Sequence, residues 1–344
     1  MGFIRRYKIP LIGLSVVLSA AFLSASGFVA LLHAEEDAAV AESAQNDAAN
    51  QSPAAQAVDP NAPPEETVAP NNPDANDESD DFSPRISSFI KINEIFEKIL
   101  NPEFITKDGL VDYSTLRRKR SDIIAASKAL KDMNPAVLMV LSKEQKIAFW
   151  INTYNVCTLK LVIDHYPIEP RMYMIFYPDN SIMQISGNWR TKTFFEIQGL
   201  EYNLQEIEQD FLLNRYKDPR ICFALSYASL GGAILRNEPY TADRLNEQLD
   251  DQVRQYLQTP RGMQIDRNEN IVYLSNLFTM HDHKALFLSS EYAEIKKFRD
   301  RKPEEQAWLN FIWNYIPEED KRYLETASFS IKFIKYDWLL NEGH

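Results

Sequence analysis

Residues 142–165, SKEQKIAFWINTYNVCTLKLVIDH, have the strongest structural pattern in the sequence. Ser142 is followed by Gln145 at the third helical position, which is the pattern of a capping box at a helix start. Apolar side chains then occupy nearly every side of the helix until His165, and Pro167 prevents its continuation. A helix that is apolar all round has to be buried. We therefore expect it to be the central element of the folded part.

Shorter periodic segments surround this helix in the sequence. Helical spacing predicts helices over 86–101, from about 113 to 130, over 241–257 and over 303–315. Asn203, with Glu206 three residues later, predicts one more helix start. Residues 271–274 and 329–334 have the composition of strands, and 181–202 that of irregular and short β structure. The sequence therefore predicts an α+β class, with one helix-rich domain and a small sheet.

Charge divides the chain into three parts, which are 1–34, 35–84 and 85–344. The chain has 344 residues, with 49 acidic and 37 basic side chains and a net charge of −12. Residues 1–34 hold three basic residues and no acid, and 35–84 hold thirteen acids and no Lys or Arg, which leaves −2 for 85–344. Nucleic acid is therefore not an expected partner. The Ala-, Pro- and acid-rich composition of 35–84 predicts a disordered linker.

The N-terminal part has the pattern of an export signal. Arg5, Arg6 and Lys8 precede an apolar stretch over 9–34. This stretch is longer than the about 7–15 apolar residues of a cleavable signal and reaches the about 20 that span a bilayer. We expect a signal anchor that holds a periplasmic domain at the inner membrane. The alternative is a cleaved signal peptide, which would release a periplasmic or secreted domain.

Two polar features are candidates for a ligand site. Asn152 and Asn155 lie one turn apart on the buried helix, where they either pin a neighbouring loop or line a site. Gly231 and Gly232 are adjacent glycines that allow positive φ and close backbone approach. Their loop either presents backbone N–H groups to a ligand or makes a plain tight turn. The candidate binding residues are Asn152, Asn155, Gln209, Cys222, Ser226, Tyr227, Ser229, Gly231, Gly232 and Asp337.

The remaining reactive residues give weaker signals of a functional site. Cys157 and Cys222 lie in apolar runs, which favours two free buried thiols over a disulfide. His281 and His283 lack a third ligand nearby in sequence, so an exposed loop is favoured over a metal site. No cofactor motif occurs. For the basic run 117–120, a solvated helix face is favoured over contact with an anionic surface.

Several runs resemble the domain-of-unknown-function 547 (DUF547) family. They are AFWINTYN at 148–155, RICFAL at 220–225, YDWLLN at 336–341, the Leu204-x-x-Ile207-Glu208 pattern and the element at 109–113. The resemblance extends over roughly residues 90–341. It implies a mostly helical fold with a small sheet, of a kind common in exported bacterial proteins and also found in plants. It implies no established biochemical role.

The chain departs from the family pattern at its reactive positions. The resemblance leads us to expect His at Cys222 and Gln209, Cys at Tyr227, and Cys-Pro at Gly232-Ala233. A thiol beside an imidazole is the arrangement of a nucleophilic cysteine. The resemblance therefore implies that this chain has lost such a site.

We accordingly expect an exported, membrane-tethered domain that binds a small ligand or an envelope protein without catalysis. One alternative is a thiol-dependent hydrolase or acyl-transfer enzyme with Cys222 as its nucleophile. That enzyme would need His165, His281 or His283 as its base. The other alternative is a structural protein of the envelope.

Overall fold

The central helix of the fold is Lys143–His165. The Ser142 hydroxyl accepts a hydrogen bond from the Gln145 N–H, and the Gln145 side chain accepts one from the Ser142 N–H, which confirms the predicted capping box. Every residue from 147 to 159 is buried. Trp150 stacks on Phe211 with ring centroids 4.3 Å apart. The segment around Phe211 is thereby packed against the central helix.

The computed structural model describes residues 83–185 and 188–343. The predicted signal segment (1–34) and the predicted linker (35–84), except its last two residues, lie outside the described residues. The described residues all fall within one compact unit. None of their helices is long and apolar enough to cross a membrane. The three-part division of the chain stays a prediction.

Helices supply most of the regular structure in the described part, in agreement with the helix-rich α+β prediction. They are Ser83–Ile99 (α1), Tyr113–Arg118 (α2), Ser121–Lys131 (α3), Ala136–Val140 (α4), Lys143–His165 (α5), Trp189–Lys192 (α6), Leu204–Glu208 (α7), Asn214–Tyr216 (α8), Leu245–Leu257 (α9), His283–Ser289 (α10), Glu291–Glu294 (α11), Pro303–Ile312 (α12) and Glu318–Thr326 (α13). Three 3-10 turns cover Ile182–Gln184, Pro219–Phe223 and Asn276–Phe278, and a π-helical turn covers Gln209–Leu213.

The strands form two small sheets among the described residues, where the sequence predicted one. Strands Phe194–Ile197 (β1) and Leu200–Asn203 (β2) make an antiparallel hairpin. Its two turn residues, 198 and 199, both have positive φ, which suits a tight hairpin connection.

The second sheet joins distant parts of the chain. Its strands are Met263–Asp266 (β3), Ile271–Ser275 (β4) and Ser330–Ile334 (β5). Strand β4 lies between an antiparallel neighbour, β3, and a parallel neighbour, β5. A parallel pair needs a long connection, and helices α10 to α13 supply it.

Three segments differ from the predicted structure. The helix predicted from about 113 to 130 is divided into α2, Tyr113–Arg118, and α3, Ser121–Lys131. The apolar run at 220–225 looked strand-like, but it begins with a 3-10 turn. Its Asp218 carboxylate accepts a hydrogen bond from the Arg220 N–H, and Pro219 stands at the first turn position. Asp-Pro is a helix-start signal that outweighs the apolar pattern here. The helix predicted from 241 begins at Leu245, after a turn in which the Gln248 side chain accepts a hydrogen bond from the Thr241 N–H.

Candidate functional site

A buried carboxylate, Glu208, is the centre of the densest polar cluster around the candidate residues. Glu208 is the last residue of α7, and Leu204 lies one turn before it on the buried side of that helix. The helix therefore carries the carboxylate into the core, where Glu208 has no exposed surface. The capping box of Asn203 and Glu206 starts α7 as predicted. The π-helical turn that follows α7 is a feature found frequently at functional sites.

Four side chains surround the Glu208 carboxylate. Arg190 Nη2 donates to Oε2 at 2.9 Å, and the Tyr154 hydroxyl donates to the same oxygen at 3.4 Å. The Tyr227 hydroxyl donates to Oε1 at 2.7 Å, and His283 Nε2 lies 3.2 Å from that oxygen. Burial acts to raise the pKa of Glu208, but the Arg190 charge and the His283 hydrogen bond outweigh it and hold this pKa well below its usual range. The carboxylate is therefore ionised.

His283 is fully buried and bonded at both ring nitrogens. Its Nδ1 lies 2.6 Å from the Leu277 carbonyl oxygen, and its Nε2 faces Glu208. Both partners are acceptors, so both nitrogens donate and the ring is an imidazolium. Burial acts to lower the pKa of His283, but the adjacent Cys222 and Glu208 outweigh it and raise this pKa to about 10. Cys222 is a free, buried thiol, as is Cys157.

His281 behaves differently from His283, although the two rings have centroids only 6.1 Å apart. His281 is exposed and has positive φ. Arg190 Nη1 lies 2.8 Å from its Nδ1. A guanidinium can only donate, so Nδ1 accepts and the His281 ring is neutral. The exposed-loop prediction therefore fails for His283, which begins α10 with no exposed surface. The part of the chain that the structure describes contains no group of three or more metal-ligating side chains.

The two predicted asparagines pin backbone segments. Asn152 donates to the Tyr240 carbonyl at 2.8 Å and accepts from the Tyr240 N–H at 2.9 Å. Asn155 makes the same pair of bonds with the Ala224 carbonyl, at 3.0 Å, and the Ser226 N–H, at 2.9 Å. Each amide is thereby used for folding rather than directed at a cavity.

The paired glycines allow a close approach of the C-terminal segment. Neither has positive φ. The Gly231 N–H donates to the Asp337 carbonyl at 2.7 Å, and the Gly232 N–H donates to the Ser229 carbonyl at 3.2 Å. The N–H groups are thus used inside the protein, contrary to the idea that they are presented to a ligand. A side chain on Gly231 would place its Cβ 2.5 Å from the Asp337 nitrogen.

Gly231→Ala is therefore expected to destabilise the fold by about 1–2 kcal/mol through this overlap. Amide hydrogen exchange should show lost protection at Leu230 and Gly231, whose N–H groups bond the C-terminal segment. Gly199→Ala is the control, because its Cβ would meet nothing within 4 Å and bears only the cost of positive φ. Unchanged protection at residues 230 and 231 in Gly231→Ala would contradict the prediction.

The remaining predicted residues lie in separate places. The Ser226 hydroxyl accepts from the Ala228 N–H at 3.3 Å, and the Ser229 hydroxyl shares a 2.7 Å hydrogen bond with Tyr336. Half-buried Gln209 donates to Asp282 beside the cluster, and exposed Asp337 accepts from the Leu339 N–H at 2.9 Å. Of the predicted residues, the structure therefore places only Cys222 and Tyr227 in the Glu208 cluster, with Gln209 at its edge.

Three members of the cluster were missed as candidates, namely Arg190, Tyr154 and Glu208. Glu208 had a usable signal, because a charged residue four positions after Leu204 falls on the apolar side of a short helix. Arg190 had no such signal. It belongs to the four-residue helix α6, which is too short for a pattern.

A polar cleft of about 650 Å³ opens beside Arg220, away from this cluster. Arg220 Nη2 donates to Asp218 at 2.7 Å, and Nη1 donates to Asp250 at 2.9 Å. The Tyr315 hydroxyl donates to the same Asp250 oxygen at 3.0 Å. Exposed Lys143, Lys217 and Arg254 line the cleft as well.

The cleft is separate from the buried thiol. Neither this cleft nor the smaller one beside Met263 is lined by Cys222, His283 or Glu208. The described structure therefore contains a sealed ionic cluster and, apart from it, an open polar surface.

Comparison with known proteins identifies one family. The model of the family described as "Protein of unknown function, DUF547" matches residues 138–257, about a third of the chain. The match includes the 148–155, 204–208 and 220–225 runs, but neither 109–113 nor 336–341. No curated protein and no solved structure matches the chain. Residues 138–257 therefore belong to the DUF547 family, as the sequence motifs indicated.

Proposed function

We propose that this chain is an exported, membrane-tethered domain of the cell envelope that binds a polar ligand or a partner protein without catalysis. The observation that carries the non-catalytic part is the burial of the candidate reactive pair. The Cys222 thiol and the His283 imidazole have no exposed surface, and neither side chain lines a described cleft.

The Glu208 cluster then has a structural role. One negative and two positive side chains are buried together, and Tyr154 and Tyr227 complete the hydrogen bonding of the carboxylate. A cluster of this kind ties α6, α7 and α10 to one another, because Arg190, Glu208 and His283 each lie in a different one of these helices. The departures from the family pattern at Gln209 and Tyr227 agree with this role.

The cleft beside Arg220 is the proposed binding surface. It combines carboxylates, guanidinium and ammonium groups and the hydroxyl of Tyr315, so it suits a polar ligand with hydrogen-bonding groups of both kinds. Arg220 is held between Asp218 and Asp250, which fixes its position without an outside ligand. The membrane tether and the export rest on the sequence of residues 1–34.

A thiol enzyme is the second candidate, and one contact favours it. Cys222 lies against His283, which in turn is bonded to Glu208. These are the residue types of a nucleophile, a base and the group that orients the base. Such an enzyme would need a movement that opens the cluster to solvent, since Cys222 and His283 are fully buried.

Alkylation by iodoacetamide separates the two candidates. With native protein, mass spectrometry is expected to show no modification of Cys157 or Cys222, since both thiols are buried. Unfolding in urea should then expose both to the reagent. The variant Met139→Cys is the positive control, because residue 139 is 70% exposed. Rapid native alkylation of Cys222 with Cys157 protected would instead favour the enzyme.

A further inference from the structure

A loop of large apolar side chains projects from the fold after α5. Within residues 170–178, PRMYMIFYP, Met172 is 93% exposed, Phe176 76%, Ile175 73% and Tyr173 68%. Single exposed apolar residues are ordinary on protein surfaces. Four of them within five consecutive positions form a patch of the kind that marks an interaction site.

This loop is held in a defined conformation. The buried side chain of Gln184 donates to the carbonyls of Met174 and Pro178, both at 3.2 Å, and accepts from the Arg171 N–H at 2.8 Å. Within the loop, the Met174 N–H bonds the Arg171 carbonyl at 2.9 Å, and the Tyr177 N–H bonds the Met174 carbonyl at 3.1 Å. The apolar side chains are therefore presented to solvent by an ordered backbone.

Positive charge lies beside the base of the loop. Tyr166, just after α5, packs against Tyr113 with ring centroids 6.1 Å apart. Tyr113 begins α2, which leads directly into the exposed basic run Arg117–Arg120. Of that run, Lys119 also pairs with Glu103. Within 170–178 the charged residue is Arg171, and the exposed acids Glu169 and Asp179 flank the loop on either side.

We propose that the loop 170–178 and the basic run 117–120 together form a docking face for an anionic lipid bilayer. The apolar tip enters the interfacial region, and the arginines contact the headgroups. Tyrosine is enriched at that depth of a membrane, and this loop carries Tyr173 and Tyr177.

A bilayer suits this face. Met172 is 93% exposed, so the apolar tip protrudes into solvent, as insertion into the interfacial region requires. A soft interface can surround each side chain of the tip. The inference rests on the proposed membrane tether, because an anchor at 9–34 would keep the domain close to a bilayer and allow weak contacts to be occupied.

Lipid contact can be measured in the full chain reconstituted in vesicles. The Ile175→Cys variant carries an environment-sensitive fluorophore, and the matched control carries it on Met139→Cys, an equally exposed apolar position. In vesicles with anionic lipid, emission at 175 is expected to shift to the blue and to be quenched by spin-labelled lipid, with neither change at 139. Replacing Arg117 and Arg120 by glutamine should reduce the quenching at 175.

Carbonate extraction, done in parallel, reports the tether. If the chain resists extraction but the fluorophore at residue 175 is not quenched, the docking face is overturned and the tether stands. If the chain is extracted but the fluorophore is quenched, the tether is overturned and the docking face stands. If the chain is extracted and the fluorophore is not quenched, both are overturned. A blue shift without vesicles that grows with protein concentration would indicate a second copy on the loop and would overturn the lipid proposal.

Discussion

Glu208→Gln is expected to lower the free energy of unfolding by about 3–5 kcal/mol, the usual cost of removing one partner from a buried ion pair. The substitution keeps the size of the side chain but removes its charge. Arg190 would then be a buried cation with no anion beside it, and His283 would lose the carboxylate that helps to keep it charged. The glutamine amide would also turn a donor toward groups that themselves donate.

Urea unfolding measured by circular dichroism checks this expectation. Glu196→Gln is the matched control, because Glu196 pairs with Lys131 at 2.6 Å on the surface, where both side chains are about half exposed. A surface pair of this kind is worth about 0–1 kcal/mol. If the two variants lost the same stability, the Glu208 cluster would not be the buried ionic centre described here.

Helix starts were predictable because their signals are local. Ser142 with Gln145, and Asn203 with Glu206, each satisfy their own backbone groups within one turn, so a few residues contain the whole cause. The continuous apolar surface of α5 predicted its central place for a similar reason. Local signals failed where two of them competed, as at Asp218 and Pro219, which start a 3-10 turn inside an apolar run.

The ionic cluster could not be derived from the sequence in the same way. Glu208 and His283 are 75 positions apart, and only the folded chain brings them into contact. The pairing of β4 with β5 is likewise set by the helices between them. Cys222 and Gln209 could be predicted as candidate site residues because the family pattern has reactive residues at both positions. The same pattern contains Glu208, and its place on the apolar side of α7 was the physical sign of a buried charge.

The stability of the protein is expected to fall as the pH rises above 6.5, because His283 keeps in the folded state a proton that it releases on unfolding. In the folded state the pKa of His283 is raised to about 10, against an ordinary value of 6.5. The stabilisation is therefore complete below pH 6.5, declines above it, and is lost once the pH has passed 10. The groups that face the ring are Cys222, Glu208 and Tyr227; Glu208 is already ionised, and Tyr227, whose pKa is raised, stays neutral throughout this window.

Urea midpoints measured across this window check the expectation, and NMR of the ring nitrogens at pH 8 reports the charge of His283 directly. Glu208→Gln should flatten the pH dependence, because the raised pKa depends in part on that carboxylate. His165→Gln should leave it unchanged, since His165 bonds only the Leu161 carbonyl of its own helix. A neutral His283 at pH 8 would contradict the raised pKa and the pH dependence expected from it.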